Sequence, residues 1–251
     1  MARYDIRTPR LHTQAALGAG LAVTLQQPQA HYLLHVLRLK AGDAVLLFNG
    51  FDGEWRGRLE APNKKAVSVR VEECTRAQTE PADLHYWFAP LKHSRLDYMT
   101  QKAVELGAAR LQPVITRHTQ ATRINLDRMR ANAIEAAEQC GILTLPEIGE
   151  PAGLERAMAE REPARLLVFC DEDAEVTDPV AALQQARADR SGAIPLALLI
   201  GPEGGFAADE RAALLGAPNV LRLALGPRIL RADTAAVAAL ALVQAVLGDW
   251  K

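Results

Sequence analysis

Leu198-Leu199-Ile200-Gly201-Pro202-Glu203-Gly204-Gly205-Phe206 passes from an apolar run into three glycines within five residues. A short apolar run without polar alternation reads as a strand covered on both faces, as in a parallel sheet between helices. Glycines directly after it let the backbone approach a ligand closely. A helix predicted over 209–215 would point its first amides the same way. The spacing is neither G-x-G-x-x-G nor that of a phosphate-cradling P-loop, so the glycines alone name no ligand. A second strand at 220–223 leads into Leu225-Gly226-Pro227-Arg228-Ile229-Leu230-Arg231 and then Ala232-Asp233-Thr234-Ala235. Asp233 or Thr234 is the expected cap of an alanine-rich helix over 234–247. Open parallel sheets bind ligands beyond the carboxyl ends of their strands, which makes these two loops the candidate site.

Upstream of the loops, strand and helix patterns alternate. Strands are expected at 84–89, 111–115, 165–170 and 195–200, and helices at 94–106, 126–139 and 179–187. In the first of these helices Leu96, Met99, Ala103 and Leu106 share a face, and Gly107 is a fitting C-terminal stop. This is the pattern of an α/β domain. Residues 1–73 read differently. A short helix over 29–37 precedes strands at 44–48, 55–59 and 65–71, with turns at Asn49-Gly50 and Asp52-Gly53. The polar stretch Glu72–Pro81 ends in proline and marks a composition shift, and 74–82 reads as a linker. The expected organisation is a small β-rich domain at 1–73, the linker, and the α/β domain at 83–251.

The 49% apolar content can fill a core, but with 5% aromatics that core must be built from Ala, Leu and Val. Cys74, Cys140 and Cys170 are far apart and odd in number, which argues against disulfides or a thiolate zinc site and suits the cytoplasm. The first residues lack the apolar core of a secretory signal, and the uncharged stretch 234–248 is too short to span a bilayer. His31 and His35 stand at helical spacing, but with no third ligand no metal is expected. A net charge of −1 conceals segregation. Lys plus Arg against Asp plus Glu is 10 to 7 over residues 1–75, 8 to 3 over 92–130, and 5 to 13 over 131–190. A basic face for nucleic acid is compatible with that distribution, as is a solvated surface. On residue patterns alone the reading ends at an α/β domain with a small-molecule crevice and a β-rich appendage.

The two loops resemble those of the RsmE family of ribosomal RNA methyltransferases, in the SPOUT superfamily. The matching stretches are 199–206 with Glu210, and 225–231 with Thr234-Ala235. Gln101-Lys102-Ala103-Val104-Glu105-Leu106-Gly107, Glu135-Ala136-Ala137-Glu138-Gln139-Cys140, and His35-Val36-Leu37-Arg38-Leu39 with Gly42-Asp43 resemble further family motifs in the same order. The chain departs from the pattern at Ala207, where a hydroxyl residue is usual. It departs also at Ala232 and Asp233, where Thr and Glu are usual, and at Ile142, where Arg is. The resemblance implies a SPOUT-type parallel sheet with a C-terminal trefoil knot near 196–240 and an N-terminal PUA-like β-barrel that binds RNA. It implies a homodimer and S-adenosyl-L-methionine as cofactor, held by Leu199, Ile200, Gly201, Pro202, Glu203, Gly204, Gly205, Leu225, Gly226, Ile229, Leu230 and Thr234. The implied reaction is methylation of N3 of a specific uridine in 16S ribosomal RNA, free or within the small ribosomal subunit. The alternatives are a SPOUT enzyme acting on another RNA, a non-catalytic RNA-binding protein of the same fold, or a metabolic α/β enzyme.

Uracil N3 carries a proton at neutral pH, so its attack on a methyl group requires a base, or a cation that stabilises the developing anion. Arg231, at the end of the second loop, is the candidate cation, with Glu203 and Asp233 as candidates for the base or for orienting it. Arg7, Arg10, Arg38, Lys92, Arg95, Lys102 and Arg123 are the expected phosphate contacts, among a wider basic set that includes Arg3, Arg56, Arg58, Lys64, Lys65 and Arg117.

Overall fold

The computed structural model of the chain describes residues 5, 7–63, 66–92, 94–120, 123–175 and 178–250. Arg3, Lys64 and Lys65 lie outside them. The chain forms two compact units. One comprises Met1–Glu80 with Ile134–Leu145, and the other Pro81–Ala133 with Pro146–Lys251.

The first unit contains β1 (Arg10–His12), β2 (Ala22–Thr24), α1 (Gln27–His31), β3 (Ala44–Phe48), β4 (Glu54–Asn63) and β5 (Ala66–Arg76). They form one sheet in the order β1-β3-β4-β5-β2, with β1 parallel to β3 and the other pairs antiparallel. Alternation along β5 buries Val67, Val69 and Val71 and leaves Arg70 exposed, as a half-buried strand requires. These valines pack with Leu11, Val23, Leu33, Val45, Leu47 and Leu59. Three expectations need correction. β5 runs to Arg76, so the linker expected from residue 74 begins inside a strand. The single helix expected over 29–37 is an α-helical turn followed by a π-helical one over Tyr32–Val36. β1 and β2 were not expected, because three residues are too few to show alternation.

Arg10 also needs correction. Its side chain is only 6% exposed, so it offers nothing to a phosphate. Its Nε donates to Glu54 Oε2 at 2.5 Å and its Nη2 to the Ile142 carbonyl at 2.7 Å. Its Nη1 donates to the Ala137 carbonyl, and the guanidinium lies 3.9 Å from the centre of the Phe48 ring. Arg76 supplies the second cation on Glu54, at 2.6 Å. Burial alone would raise the Glu54 carboxyl, but the hydrogen bonds from Arg76 and Arg10 hold it below its ordinary value.

The second unit alternates through β6 (Leu84–Phe88), α2 (Ser94–Glu105), β7 (Arg110–Ile115), α3 (Leu126–Cys140), β8 (Glu147–Ile148), β9 (Ala152–Gly153), α4 (Leu154–Ala159), β10 (Leu166–Cys170), α5 (Pro179–Ala188), β11 (Leu196–Ile200), α6 (Ala208–Gly216), β12 (Val220–Leu223) and α7 (Ala232–Val246). Residues of α3 from Ile134 onward belong with the first unit. The main sheet runs β12-β10-β11-β6-β7-β8, and every pair is parallel. All five residues of β11 are buried, as its unbroken apolar run demands. The small side chains of Ala235, Ala236 and Ala239 sit buried on α7. Gln244, fully buried on the same helix, donates to the Leu106 carbonyl at the end of α2 at 2.7 Å. No helix among the described residues is long and apolar enough to cross a membrane.

Two predictions follow from the charges placed inside these units. Removing one member of a buried, hydrogen-bonded ion pair strands its partner, at a cost of about 3–5 kcal/mol. Arg10→Ala should lower unfolding stability in urea by about that amount; a loss below about 1 kcal/mol would show the network to be dispensable. On β6, burial first, then Arg165, push the His85 imidazole down to about 4, although Asp83 pulls the other way. The folded state therefore prefers neutral His85. As pH falls from about 6.5 to about 4 the unfolded chain takes up a proton that the folded chain refuses, and stability is lost. His85→Gln should flatten the fall of the melting temperature across that window, and an unchanged slope would refute the assignment.

Candidate active site

The sheet order decides which loops meet. β10 lies between β11 and β12, and all three run parallel, so their carboxyl ends stand side by side. A cavity of about 360 Å³ opens there, lined by residues 170–172 and Ala174 after β10, 200–203 with Gly205 and Phe206 after β11, and 223–232 after β12. Arg211 of α6 and Ala235 of α7 complete the wall. Of the residues expected to hold a cofactor, Ile200, Gly201, Pro202, Glu203, Gly205, Leu225, Gly226, Ile229 and Leu230 line this cavity. Leu199 does not; it is fully buried in the sheet between Trp87 and Phe169. Gly204 and Thr234 are exposed and stand off the wall.

The glycines are required by space and backbone. A Cβ on Gly201 would run into the Phe206 ring, which meets Phe169 edge-on at 5.1 Å. Gly205 has φ +69°, and a Cβ there would lie 2.7 Å from Glu172 Oε1. Gly226 has φ +96° with open space over its Cα, so its backbone faces the cavity unobstructed. The cavity therefore fits a ligand gripped by main chain, with apolar walls at Ile200, Leu225 and Leu230 and carboxylates at Glu172 and Glu203.

The loop after β7 braces the first glycine loop. His118 Nδ1 lies 3.1 Å from the carbonyls of both Gly204 and Gly205. Carbonyls only accept, so Nδ1 carries the proton. Glu210 Oε1 accepts the Arg117 amide at 2.8 Å, and its Oε2 accepts the Ala207 amide at 3.0 Å. Ala207 has no acceptor to cap α6, so Glu210 supplies the half of the capping interaction that remains possible.

The candidate catalytic side chains converge only in part. Arg231 lines the cavity as the residue preceding α7, is exposed, and has no carboxylate within 4 Å among the described residues. Asp233 does not cap α7, which begins at Ala232; it sits in the first helical turn, where an acidic group suits the helix dipole. Glu203 accepts a hydrogen bond from Arg95 Nη1, and Arg95 Nε stands 4.0 Å from Asp233 Oδ2. Arg95 thus lies between both carboxylates.

Three residues of the site carry no glycine signal and were missed. Asp171, with a side chain 1% exposed, accepts from Arg211 at 2.8 Å and from Arg222 at 2.7 Å. Glu172 and Cys170 join it on the wall, and burial pushes the Cys170 thiol up to about 12, leaving it protonated and unreactive. The rule that ligands bind beyond strand carboxyl ends, applied to the strand expected at 165–170, was the signal available for them.

The basic residues sort by what they already hold. Lys102 binds Glu105 at 2.7 Å, Arg117 binds Asp209 at 2.6 Å, Arg56 binds Glu73 at 2.7 Å and Arg58 binds Glu72 at 3.2 Å. Arg7, Arg38, Lys92 and Arg123 are exposed, with no carboxylate within 4 Å of their charged ends among the described residues. Arg38 does so from a left-handed backbone, φ +58°.

Comparison with known proteins agrees with this geometry. Residues 78–244 match the model of an RNA methyltransferase domain, and residues 25–72 that of an RNA methyltransferase PUA domain. The chain is 31% identical to the ribosomal RNA small subunit methyltransferase E of Rickettsia conorii over 94% of each chain. Its fold matches that of the ribosomal RNA small subunit methyltransferase E of Neisseria gonorrhoeae bound to S-adenosyl methionine, with a TM-score of 0.84 at 26% identity, covering 98% of this chain and 100% of that one. It also matches a Legionella pneumophila protein described as a methyltransferase, solved with its cofactor SAM, with a TM-score of 0.82 at 31% identity over 95% and 98% of the two chains. Together with three parallel strand ends that enclose a glycine-walled cavity, these matches establish that the chain belongs to the ribosomal RNA small subunit methyltransferase E family.

Proposed function

We propose that the protein transfers a methyl group from S-adenosyl-L-methionine to N3 of a specific uridine in small-subunit ribosomal RNA. The observation that carries the reading is the cavity where β10, β11 and β12 end, walled by the two glycine loops of a chain in this family. When bound there, S-adenosylmethionine supplies a methyl group on a positively charged sulfur. Ile200, Gly201, Gly205, Leu225, Gly226 and Leu230 would hold it through backbone and apolar contact. The protein's remaining task is to place uracil N3 in line with that methyl and manage its proton. N3 sits on the Watson–Crick edge, so the target uridine must be unpaired or splayed from its helix.

Arg231 is the group suited to the developing charge. Its guanidinium stands at the cavity wall uncommitted to any carboxylate among the described residues, so its donors are available to a uracil oxygen. Glu203 and Asp233 remain the carboxylates through which a proton could leave, and Arg95 holds them near the mouth. Arg7, Arg38, Lys92 and Arg123, exposed and without a carboxylate partner among the described residues, suit phosphate contact. With the RNA methyltransferase PUA match in the first unit, this reading places rRNA binding there as well as beside the cavity, and the protein in the cytoplasm, where subunits are made.

Two finer features belong to the same reading. The trefoil knot near 196–240 is part of this reading; the chain leaves β11, crosses through α6 to β12 on the far side of β10, and returns as α7 against β11 and α2. A homodimer is supported by Ile229, which stands 88% exposed on the second loop at the cavity wall, where a partner subunit would cover it.

Calorimetry should show micromolar binding of S-adenosylmethionine to the purified protein, and its absence would sink the enzyme reading. Nucleoside mass spectrometry of rRNA from cells lacking the gene should show loss of 3-methyluridine; an intact level would remove this substrate. Arg231→Ala should lower kcat by about 100- to 1000-fold, the usual effect of deleting one donor to a developing anion. Cofactor affinity should stay within about twofold. A variant that loses cofactor affinity but keeps its saturated rate would move Arg231 from catalysis to binding.

A further inference from the structure

The reading of the cavity as a methyl-donor site leaves one cation with a different task from the one its sequence suggests. Arg95 occupies the first turn of α2, outside both glycine loops. Its Nη1 is hydrogen-bonded to Glu203, in the loop after β11. Its Nε lies 4.0 Å from Oδ2 of Asp233, in the first turn of α7 after the β12 loop. The two carboxylates belong to segments separated by a complete helix and strand. Glu203 lines the cavity and Asp233 directly follows the lining residue Ala232, and like charges there repel each other. One planar guanidinium answers both because its donors point in different directions, which an ammonium on a single stem cannot reproduce. The helix that carries it is anchored independently: α2 packs along α7, and Leu96 and Met99 are buried beneath the Arg95 turn. With Nη1 hydrogen-bonded to Glu203 and the Asp233 carboxylate within ion-pair distance, Arg95 is poorly placed to serve as a plain phosphate contact.

We infer that Arg95 is a positioning residue for the cofactor: a strap that ties the β11 loop to the start of α7 and keeps both walls of the cavity in their binding arrangement. It acts through Glu203 and Asp233 and touches no reacting atom. The inference rests on the methyltransferase reading of the cavity and adds to it a residue outside the two loops. The pair is partly exposed, at 39% for Arg95 and 42% for Glu203, so the effect of breaking it should be modest.

The test is calorimetric titration of the full chain with S-adenosylmethionine, alongside melting curves and the KM for an rRNA fragment. Arg95→Ala should raise the cofactor Kd about three- to tenfold while the melting temperature stays near that of the wild type. Arg95→Lys should recover only part of the loss. Glu203→Gln should weaken binding by itself, and Arg95→Ala added to it should cost little more, because the strap is already cut. Additive losses in that cycle overturn the inference. So does Arg95→Ala with wild-type cofactor affinity, including the case in which only the KM for RNA and its salt dependence change, which would return Arg95 to phosphate contact. A wild-type chain that does not bind S-adenosylmethionine overturns the methyltransferase reading itself; a wild type that binds while Arg95→Ala binds equally well overturns the strap alone.

Discussion

In a parallel sheet all carboxyl ends lie on one edge, and here β10 hydrogen-bonds to β11 on one side and β12 on the other. That pairing brings together loops that are separated in sequence by at least a helix and a strand, and sets the cavity between them. The order β12-β10-β11 is non-consecutive, so the chain must cross over β10 to add β12 beyond it. Each crossover carries its helix across the sheet and returns the next strand parallel. The loop 201–207 opens the crossover from β11 to β12, and 224–231 leads from β12 into the final helix α7. They are short because the strands they leave are already fixed by neighbours on the sheet.

Short loops at the edge of a rigid sheet suit a site that binds through main chain, because their amides and carbonyls are placed by the strands rather than by side-chain choice. The constraints on the first loop come from three directions. His118 holds two of its carbonyls from the β7 side, Glu172 lies over Gly205 from the β10 side, and Glu210 anchors the start of α6. The approach of Glu172 needs the absent side chain at Gly205, and the absent side chain at Gly201 makes room for the Phe206 ring. This gives a physical meaning to the glycine spacing that fits neither familiar nucleotide motif. The glycines accommodate Phe206 and Glu172 on the protein side of the loop as much as a ligand on the other.

What could be read in advance was local. The apolar run of β11, the alternation of β5 and the alanine face of α7 each follow from residues within one element; β11 and α7 lie within two residues of their expected bounds, whereas β5 runs five residues past its expected end. The two glycine loops were legible as a site because both follow strand ends and together resemble one family's paired motifs, which neither glycine cluster could show alone. Non-local facts were not legible. Asp171 and Glu172 follow β10 with no glycine to mark them, and only the sheet order shows that they face the same cavity. Arg10 finds Ala137 and Ile142 more than 120 residues away, a contact that no window of sequence can contain. The first unit takes in Ile134–Leu145 for the same reason, which a division at a single linker cannot express.

The same limit governs the reading of charge. Basic residues were counted as an RNA footprint in proportion to their number, yet a cation is available to phosphate only when no carboxylate has claimed it. Arg10 is consumed by Glu54, Arg95 by Glu203, Lys102 by Glu105 and Arg117 by Asp209. In a chain with nearly equal numbers of acids and bases, such internal pairing is the expected fate of most cations, and segregation along the sequence overstates the field the surface presents. Of the cations expected to meet phosphate, Arg7, Arg38, Lys92 and Arg123 are exposed with no carboxylate partner among the described residues. Arg38 is held in a backbone conformation that ordinary side chains avoid, at a cost of about 1–3 kcal/mol that the surrounding structure must offset. The net charge of −1 is a poor guide to what the surface attracts, because electrostatic attraction acts through unpaired charge near the ligand rather than through the sum over the molecule.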